Sequence, residues 1–133
     1  MKINPYLNFP GTCEEAMNFY AKVLGGTIEA MMRFEGSPME KHVPPDSVKK
    51  IIHARIRWGD HVLMASDAMS DRFKPPQGFS VTINPSEIPE AERIYKELSA
   101  GGAVNMELQQ TFWAKRFGAF TDRFGIPWMI NCE

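Results

Sequence analysis

Cysteine is scarce in this chain: of 133 residues, only Cys13 and Cys132 carry a thiol, and they stand near opposite ends. Two cysteines so placed do not make the dense disulfide framework of a small secreted domain, and without a CxxC pair there is no zinc-ribbon or redox motif. Long apolar runs are also missing, and none approaches the ~20 residues a membrane-spanning helix requires. The opening Met1-Lys2-Ile3-Asn4-Pro5 lacks the apolar stretch of a signal peptide, so a cytoplasmic location is expected. Nor is charge of one sign in excess. Fifteen Lys and Arg face sixteen Asp and Glu, for a net charge of −1. That balance offers no broad electrostatic footprint for nucleic acid or an anionic membrane, and neither is expected as a partner.

Hydrophobic residues make up 44% of the chain and charged residues 23%, the balance of an ordinary globular domain. The length suits one domain over residues 1–133. Ile3 to Phe9 reads as a short strand that Pro5 confines to an edge or to imperfect pairing. Thr12-Cys13-Glu14-Glu15 then reads as a capping box, with the Thr12 hydroxyl accepting from the Glu15 amide. The helix behind it carries Ala16, Phe19, Tyr20, Val23 and Leu24 in one stripe and stops at Gly25-Gly26. Thr27 to Phe34 is a strand and Glu35 to Lys49 a proline-bearing loop. Lys50 to Trp58 and His61 to Asp67 form a hairpin turned at Gly59-Asp60. After a second loop, Ala68 to Gln77, Phe79 to Ile83 is a strand. A helix begins within Ser86 to Pro89, runs through Ala91, Ile94, Tyr95 and Leu98, and ends at Gly101-Gly102. Ala103 to Leu108, Ala114 to Thr121 and Ile126 to Asn131 are three further strands.

Strand, helix and three strands thus occur twice, as pseudo-repeats over about 1–67 and 78–133. Glu15-Ala16 with Phe19-Tyr20 is echoed by Glu90-Ala91 with Ile94-Tyr95, and each helix is followed by a glycine pair. Arg57-Trp58-Gly59 is echoed by Arg123-Phe124-Gly125.

Several segments, in their order and spacing, resemble the PhnB-like branch of the vicinal oxygen chelate (glyoxalase/bleomycin-resistance) superfamily. They are Tyr6-Leu7-Asn8-Phe9, Glu15-Ala16, Phe19-Tyr20, His53-Ala54-Arg55, Met64-Ala65-Ser66-Asp67, Gly101-Gly102, Thr111-Phe112-Trp113, Phe117-Gly118 and Asp122-Arg123-Phe124-Gly125-Ile126-Pro127-Trp128. The resemblance covers nearly the whole chain. It implies an α+β fold of two βαβββ modules whose mixed sheets curl into a cup with the helices outside, and commonly a homodimer. Members of this branch often carry the label of a demethylubiquinone methyltransferase. Against that label, the glycines here fall at helix ends rather than in a glycine-rich strand-to-helix turn for S-adenosylmethionine.

Metal-dependent members of the superfamily hold a divalent ion with four His or Glu side chains, one on each of four strands. Carried over through the Phe19-Tyr20 helix and the Arg57-Trp58-Gly59 turn, those positions fall on Pro5, His53, Phe79 and Met129. Only His53 offers a good ligand for a hard or borderline cation. The expectation is therefore no metal and no other cofactor. Asp67, Glu107 and Asn131 are the conceivable substitute ligands.

With His53 facing the cup, the period-two alternation of a strand puts Ile51, Arg55 and Arg57 on the same side. Ile52, Ala54, Ile56 and Trp58 then face the helices. A His-Arg-Arg row favours an anionic ligand, and the imidazole of His53 is a candidate general base. Each residue also has a plainer reading. His53 can be a hydrogen-bonded support of the sheet, and Arg55 and Arg57 can be solvated residues paired with Asp or Glu, the reading preferred for Arg57. Phe79, Met129 and Trp113 are candidate apolar walls of a ligand pocket, whereas Trp58 and Trp128 are assigned to packing.

Two functions stand nearly level. One is a metal-independent enzyme acting on a small anionic metabolite, with His53 moving a proton. The other is a small-molecule-binding protein, as bleomycin-resistance relatives are. A metal-dependent lyase or dioxygenase with non-standard ligands is the further alternative.

Overall fold

The computed structural model describes residues 1–133, which separate into two compact units, Met1–Lys74 and Pro75–Glu133. Each is one βαβββ module. The first has β1 (Tyr6–Phe9), α1 (Cys13–Leu24), β2 (Thr27–Arg33), β3 (Ile51–Trp58) and β4 (His61–Asp67). The second has β5 (Val81–Ile83), α2 (Ile88–Ser99), β6 (Ala103–Gln109), β7 (Arg116–Thr121) and β8 (Pro127–Cys132). The strand orders are β1-β4-β3-β2 and β5-β8-β7-β6, so the two sheets have the same topology. In each, the outer parallel pair joins the first strand to the last, and the other pairings are antiparallel.

In the first module α1 packs on β2, β3 and β4. Its buried stripe of Ala16, Met17, Tyr20 and Val23 meets Leu7, Phe9, Ala54, Ile56, Leu63 and Ala65 from the sheet. Phe19, placed in the stripe by its spacing, is only partly covered. Gly25 ends the helix at φ 76°, and its amide donates to the Ala21 carbonyl, because glycine adopts the left-handed conformation without a Cβ clash.

The N-terminus of α1 departs from the capping-box expectation. Thr12 makes no side-chain cap bond. The free amides are met from a distance instead: Asp67, at the end of β4, accepts from Gly11 N at 3.0 Å and Cys13 N at 2.9 Å through Oδ1. Its Oδ2 takes the Ile51 amide at 2.9 Å. A charged acceptor at a helix N-terminus is a better partner than a hydroxyl, since it also meets the positive end of the helix dipole.

The first strand begins at Tyr6 rather than Ile3. Pro5 has no amide to donate, although its carbonyl accepts from Met64 N at 3.2 Å. β5 begins at Val81, which leaves Phe79 just outside the strand, and β7 begins at Arg116 rather than Ala114.

In the second module α2 packs on β6, β7 and β8 through Ala91, Ile94 and Leu98. Tyr95 sets its ring edge-on to Phe120, with centroids 5.8 Å apart. Trp128 is 1% exposed, as a packing tryptophan should be. Its indole Nε1 donates to Asp122 Oδ2 at 2.8 Å, while Asp122 Oδ1 accepts from the amides of Phe124 and Ile126. That one carboxylate therefore closes the β7–β8 turn. Trp58, the other tryptophan assigned to packing, donates to the Leu24 carbonyl at the end of α1.

Candidate ligand-binding site

Register decides which side chains share the helix-free face of the first sheet. Tyr6 pairs with Met64, Met64 with Arg55, and Arg55 with Ala30, so these four lie on one face. Leu7, Ala65, Ala54 and Met31 are the next row and lie on the face toward α1. Alternation along β3 then sets His53 and Arg57 beside Arg55, as expected. Ile51, expected in the same row, is instead 1% exposed.

The open face is joined by polar contacts. Tyr6 Oη and His53 Nδ1 lie 3.2 Å apart in a hydrogen bond, and their rings stack at 5.8 Å between centroids. Asn8 Oδ1 accepts from Ser66 Oγ at 3.3 Å. Glu29 bridges the two arginines: Arg55 Nε donates to Oε2 at 2.9 Å and Arg57 Nε to Oε1 at 2.5 Å. Arg57 Nη1 also reaches the Gly59 carbonyl at 3.4 Å. The hydrogen bond from Arg57, reinforced by the one from Arg55, holds the Glu29 carboxyl below its ordinary 4.5. The paired-arginine reading thus describes both Arg55 and Arg57.

Glu29 reaches both arginines because β2 is irregular there. Ile28 pairs with Ile56 and Ala30 with Arg55, which makes Glu29 the extra residue of a β-bulge. Bulges re-aim a side chain in this way and are over-represented next to functional sites. Glu29 did not stand out in the sequence, and Tyr6 did so only as part of the Tyr6-Leu7-Asn8-Phe9 resemblance, with no role attached. A bulge has no single-residue signature, and the Tyr6–His53 contact joins two strands that no local pattern brings together.

The other candidate residues lie in the second module. Met129 is on the helix-free face of β8, between Thr82 on β5 and Ala119 on β7. Trp113, in the loop before β7, is 48% exposed and packs edge-on against Phe117 at 5.2 Å and Phe112 at 4.8 Å. Phe79 is 52% exposed. This module also has an open depression of about 250 Å³ lined by Asn84, Pro85, Ser86, Asn131 and Glu133. There the Asn131 amide donates to the Glu133 carboxylate at 2.9 Å.

The donor set does not fit the superfamily's divalent metal. Of Pro5, His53, Phe79 and Met129, only His53 is a nitrogen or oxygen ligand, and its near neighbour is a phenol rather than a carboxylate. The conceivable substitutes do not repair this. Asp67 is buried and committed to three backbone amides, Glu107 stands on the exposed strand β6, and Asn131 offers one buried, unpartnered Oδ1, a single neutral oxygen. No three His, Cys, Asp or Glu side chains come together as a metal-holding group.

A family model described as 3-demethylubiquinone-9 3-methyltransferase matches residues 1–131. The chain belongs to this family. It is 35% identical to protein YjdN of Escherichia coli (strain K12), over 98% of this chain and 95% of that protein. Among solved structures, protein PA1353 from Pseudomonas aeruginosa superposes with a TM-score of 0.92 at 47% identity, covering 100% of this chain and 98% of that one. A putative 3-demethylubiquinone-9 3-methyltransferase, PhnB protein, from Bacillus cereus gives 0.84 at 25% identity, with both chains fully covered. The fold extends further, to the bleomycin-binding protein of Streptomyces verticillus solved with copper(II)-bleomycin. That match has a TM-score of 0.59 at 16% identity over 100% of this chain and 96% of that one. The chain is thus a PhnB-like member of the glyoxalase/bleomycin-resistance fold.

Proposed function

We propose that this chain binds a small anionic molecule on the helix-free face of its first sheet, through Arg55 and His53. The observation that carries the reading is the density of polar side chains there: Tyr6 on β1, His53, Arg55 and Arg57 on β3, and Glu29 on β2 belong to one sheet whose other face carries α1. Two guanidinium groups against one carboxylate leave a local excess of positive charge, which suits a carboxylate, phosphate or phosphonate. On the second module, Phe79, Met129 and Trp113 are proposed as apolar ligand contacts in their own right. The bleomycin-binding protein of similar fold, solved with copper(II)-bleomycin, supports a binding role for the fold.

A second reading, an enzyme that moves a proton, rests on the Tyr6–His53 hydrogen bond. That bond occupies Nδ1 and leaves Nε2 without a partner in the chain. Where Nδ1 carries the proton, Nε2 is the basic nitrogen, as a general base requires. The methyl transfer in the family's description is not part of either reading. A common S-adenosylmethionine site uses a glycine-rich turn from strand to helix. Here the two strand-to-helix connections are Pro10-Gly11-Thr12 and Asn84-Pro85-Ser86-Glu87, with a single glycine between them.

A homodimer is part of the same proposal. Six of the seven residues of β6 are exposed, Val104 and Met106 among them, and Phe112 beyond it is fully open. An uncovered edge with apolar side chains is what a second copy would cover.

The experiment is a thermal-shift screen of wild type, His53→Ala and Arg55→Met against small carboxylates, phosphates and phosphonates. The reading expects a subset of anions to stabilise the wild type and to lose that effect in Arg55→Met. Stabilisation by large aromatic cations alone would overturn it. A His53→Ala variant that turned over a discovered substrate at full rate would remove the enzyme reading. Light scattering at micromolar concentration reads the dimer directly.

A further inference from the structure

The bulge at Glu29 gives the anion site a competitor of its own. We infer that the Glu29 carboxylate occupies the anion position of the Arg55–Arg57 pair in the empty site, so that an incoming anion binds by displacing it. This rests on the anion-binding reading above.

Three observations support it. The carboxylate splits its oxygens between two guanidinium groups on one strand, 2.9 Å from Arg55 Nε and 2.5 Å from Arg57 Nε, which is how a bound carboxylate ligand would bridge them. It is brought there by an extra residue in β2, a device that costs a regular ladder pair and would be idle in a mere surface ion pair. The side chains are each about one-third exposed (33%, 34% and 35%), so the bridges are open to solvent and cheap to break.

The consequence is a threshold on affinity. A monocarboxylate does no better than Glu29 in the same place and gains little from the exchange. An anion with two negative charges, or with the three or more terminal oxygens of a phosphate, forms more charge-assisted hydrogen bonds than the carboxylate it displaces. Glu29 thus lowers the affinity of every anion by the same factor. It sets a threshold that weak monoanions do not pass.

The test compares wild type, Glu29→Gln, Arg55→Met and the double variant, by calorimetric titration with malonate, inorganic phosphate and acetate. The glutamine keeps shape and hydrogen bonding while removing the charge, and its exposed position keeps folding intact. Glu29→Gln is expected to bind all three probes more tightly, by roughly three- to tenfold, the scale of exposed ion pairs. The three gains are expected to be alike, since each probe displaces the same carboxylate, and acetate, the weakest, rises toward the measurable range. Arg55→Met and the double variant are expected to bind none of the three. Unchanged or weaker binding by Glu29→Gln, with the wild type still binding malonate through Arg55, would overturn the competitor role and leave the anion site standing. No heat from any probe with wild type or Glu29→Gln would overturn both.

Discussion

The two modules share strand order, helix placement and the parallel pairing of first and last strands, yet their helix-free faces are chemically opposite. The first presents Tyr6, His53, Arg55, Arg57 and Glu29; the second presents Met129, Phe117 and Ala119, with Trp113 packed on Phe117. Their buried carboxylates also differ in use. Asp67 ties the start of α1 to the end of β4 and to Ile51, whereas Asp122 closes a hairpin turn and anchors Trp128. What a duplicated unit preserves is therefore the packing of helix on sheet. The exposed alternate positions, which bear no packing load, are where the two copies carry different chemistry.

The largest effects test those carboxylates. Asp67→Ala and Asp122→Ala each leave three donors without their acceptor, at a cost of roughly 3–5 kcal/mol. Urea denaturation followed by circular dichroism measures both. A loss below 1 kcal/mol in either would show that the carboxylate is not what holds its module. Close behind comes the tryptophan contrast. Trp128→Ala empties a fully buried site and should cost about 3–5 kcal/mol, while the half-exposed Trp113→Ala should cost under about 1 kcal/mol. If Trp113→Ala proved the more damaging, its assignment to a ligand surface would give way to a core role.

The glycine pairs give a finer comparison. A Cβ at Gly102 would lie 2.1 Å from the Thr121 carbonyl oxygen, which is backbone, whereas one at Gly26 would meet the side chains of Ile56 and Trp58 at 2.6 Å. Gly102→Ala should therefore lose about 3 kcal/mol and Gly26→Ala about 1–2 kcal/mol, read as shifts of the denaturation midpoint. The smallest effect is on pH dependence. Burial, helped by the charges of Asp67 and Glu14, pushes the Cys13 thiol up to about 12 from 9.0. Above pH 9 the unfolded chain releases this proton first, so the thiol's contribution to stability falls as pH rises from 9.0 toward 12. Cys13→Ala should flatten that slope in denaturation curves measured across the range. Native Cys13 should also resist thiol reagents at pH 8.

Much of this fold was legible in the sequence, because helix stripes and glycine pairs are local signals. The stripe of Ala16, Tyr20 and Val23 and the stop at Gly25 follow from residues within one turn of each other. The doubled strand order followed from the same signals. The cap on α1 was not legible. Thr12 and Glu15 have the capping spacing, but Asp67, 54 residues beyond Cys13, takes the amide. The site was legible only along β3, where alternation sets His53, Arg55 and Arg57 on one side. Their partners Tyr6 and Glu29 depend on strand pairing and on a bulge, and no periodicity in a single strand encodes either.

The parallel pairing of β1 with β4 also bears on how the chain reaches this state. Asn8 and Ser66, facing partners, are 58 positions apart, and in the second module Asn84 meets Asn131 across 47. The antiparallel strands of each module pair with sequence neighbours, but the parallel edge closes only when the last strand exists. On the ribosome, β1 is made first and waits for nearly the whole module to emerge before it finds its place. Contacts of such sequence separation slow folding, since the entropy of closing the loop is lost before the pairing is gained. Tyr6 lies on that last-docking strand. The Tyr6–His53 contact therefore depends on a pairing that forms only once the rest of the module is available.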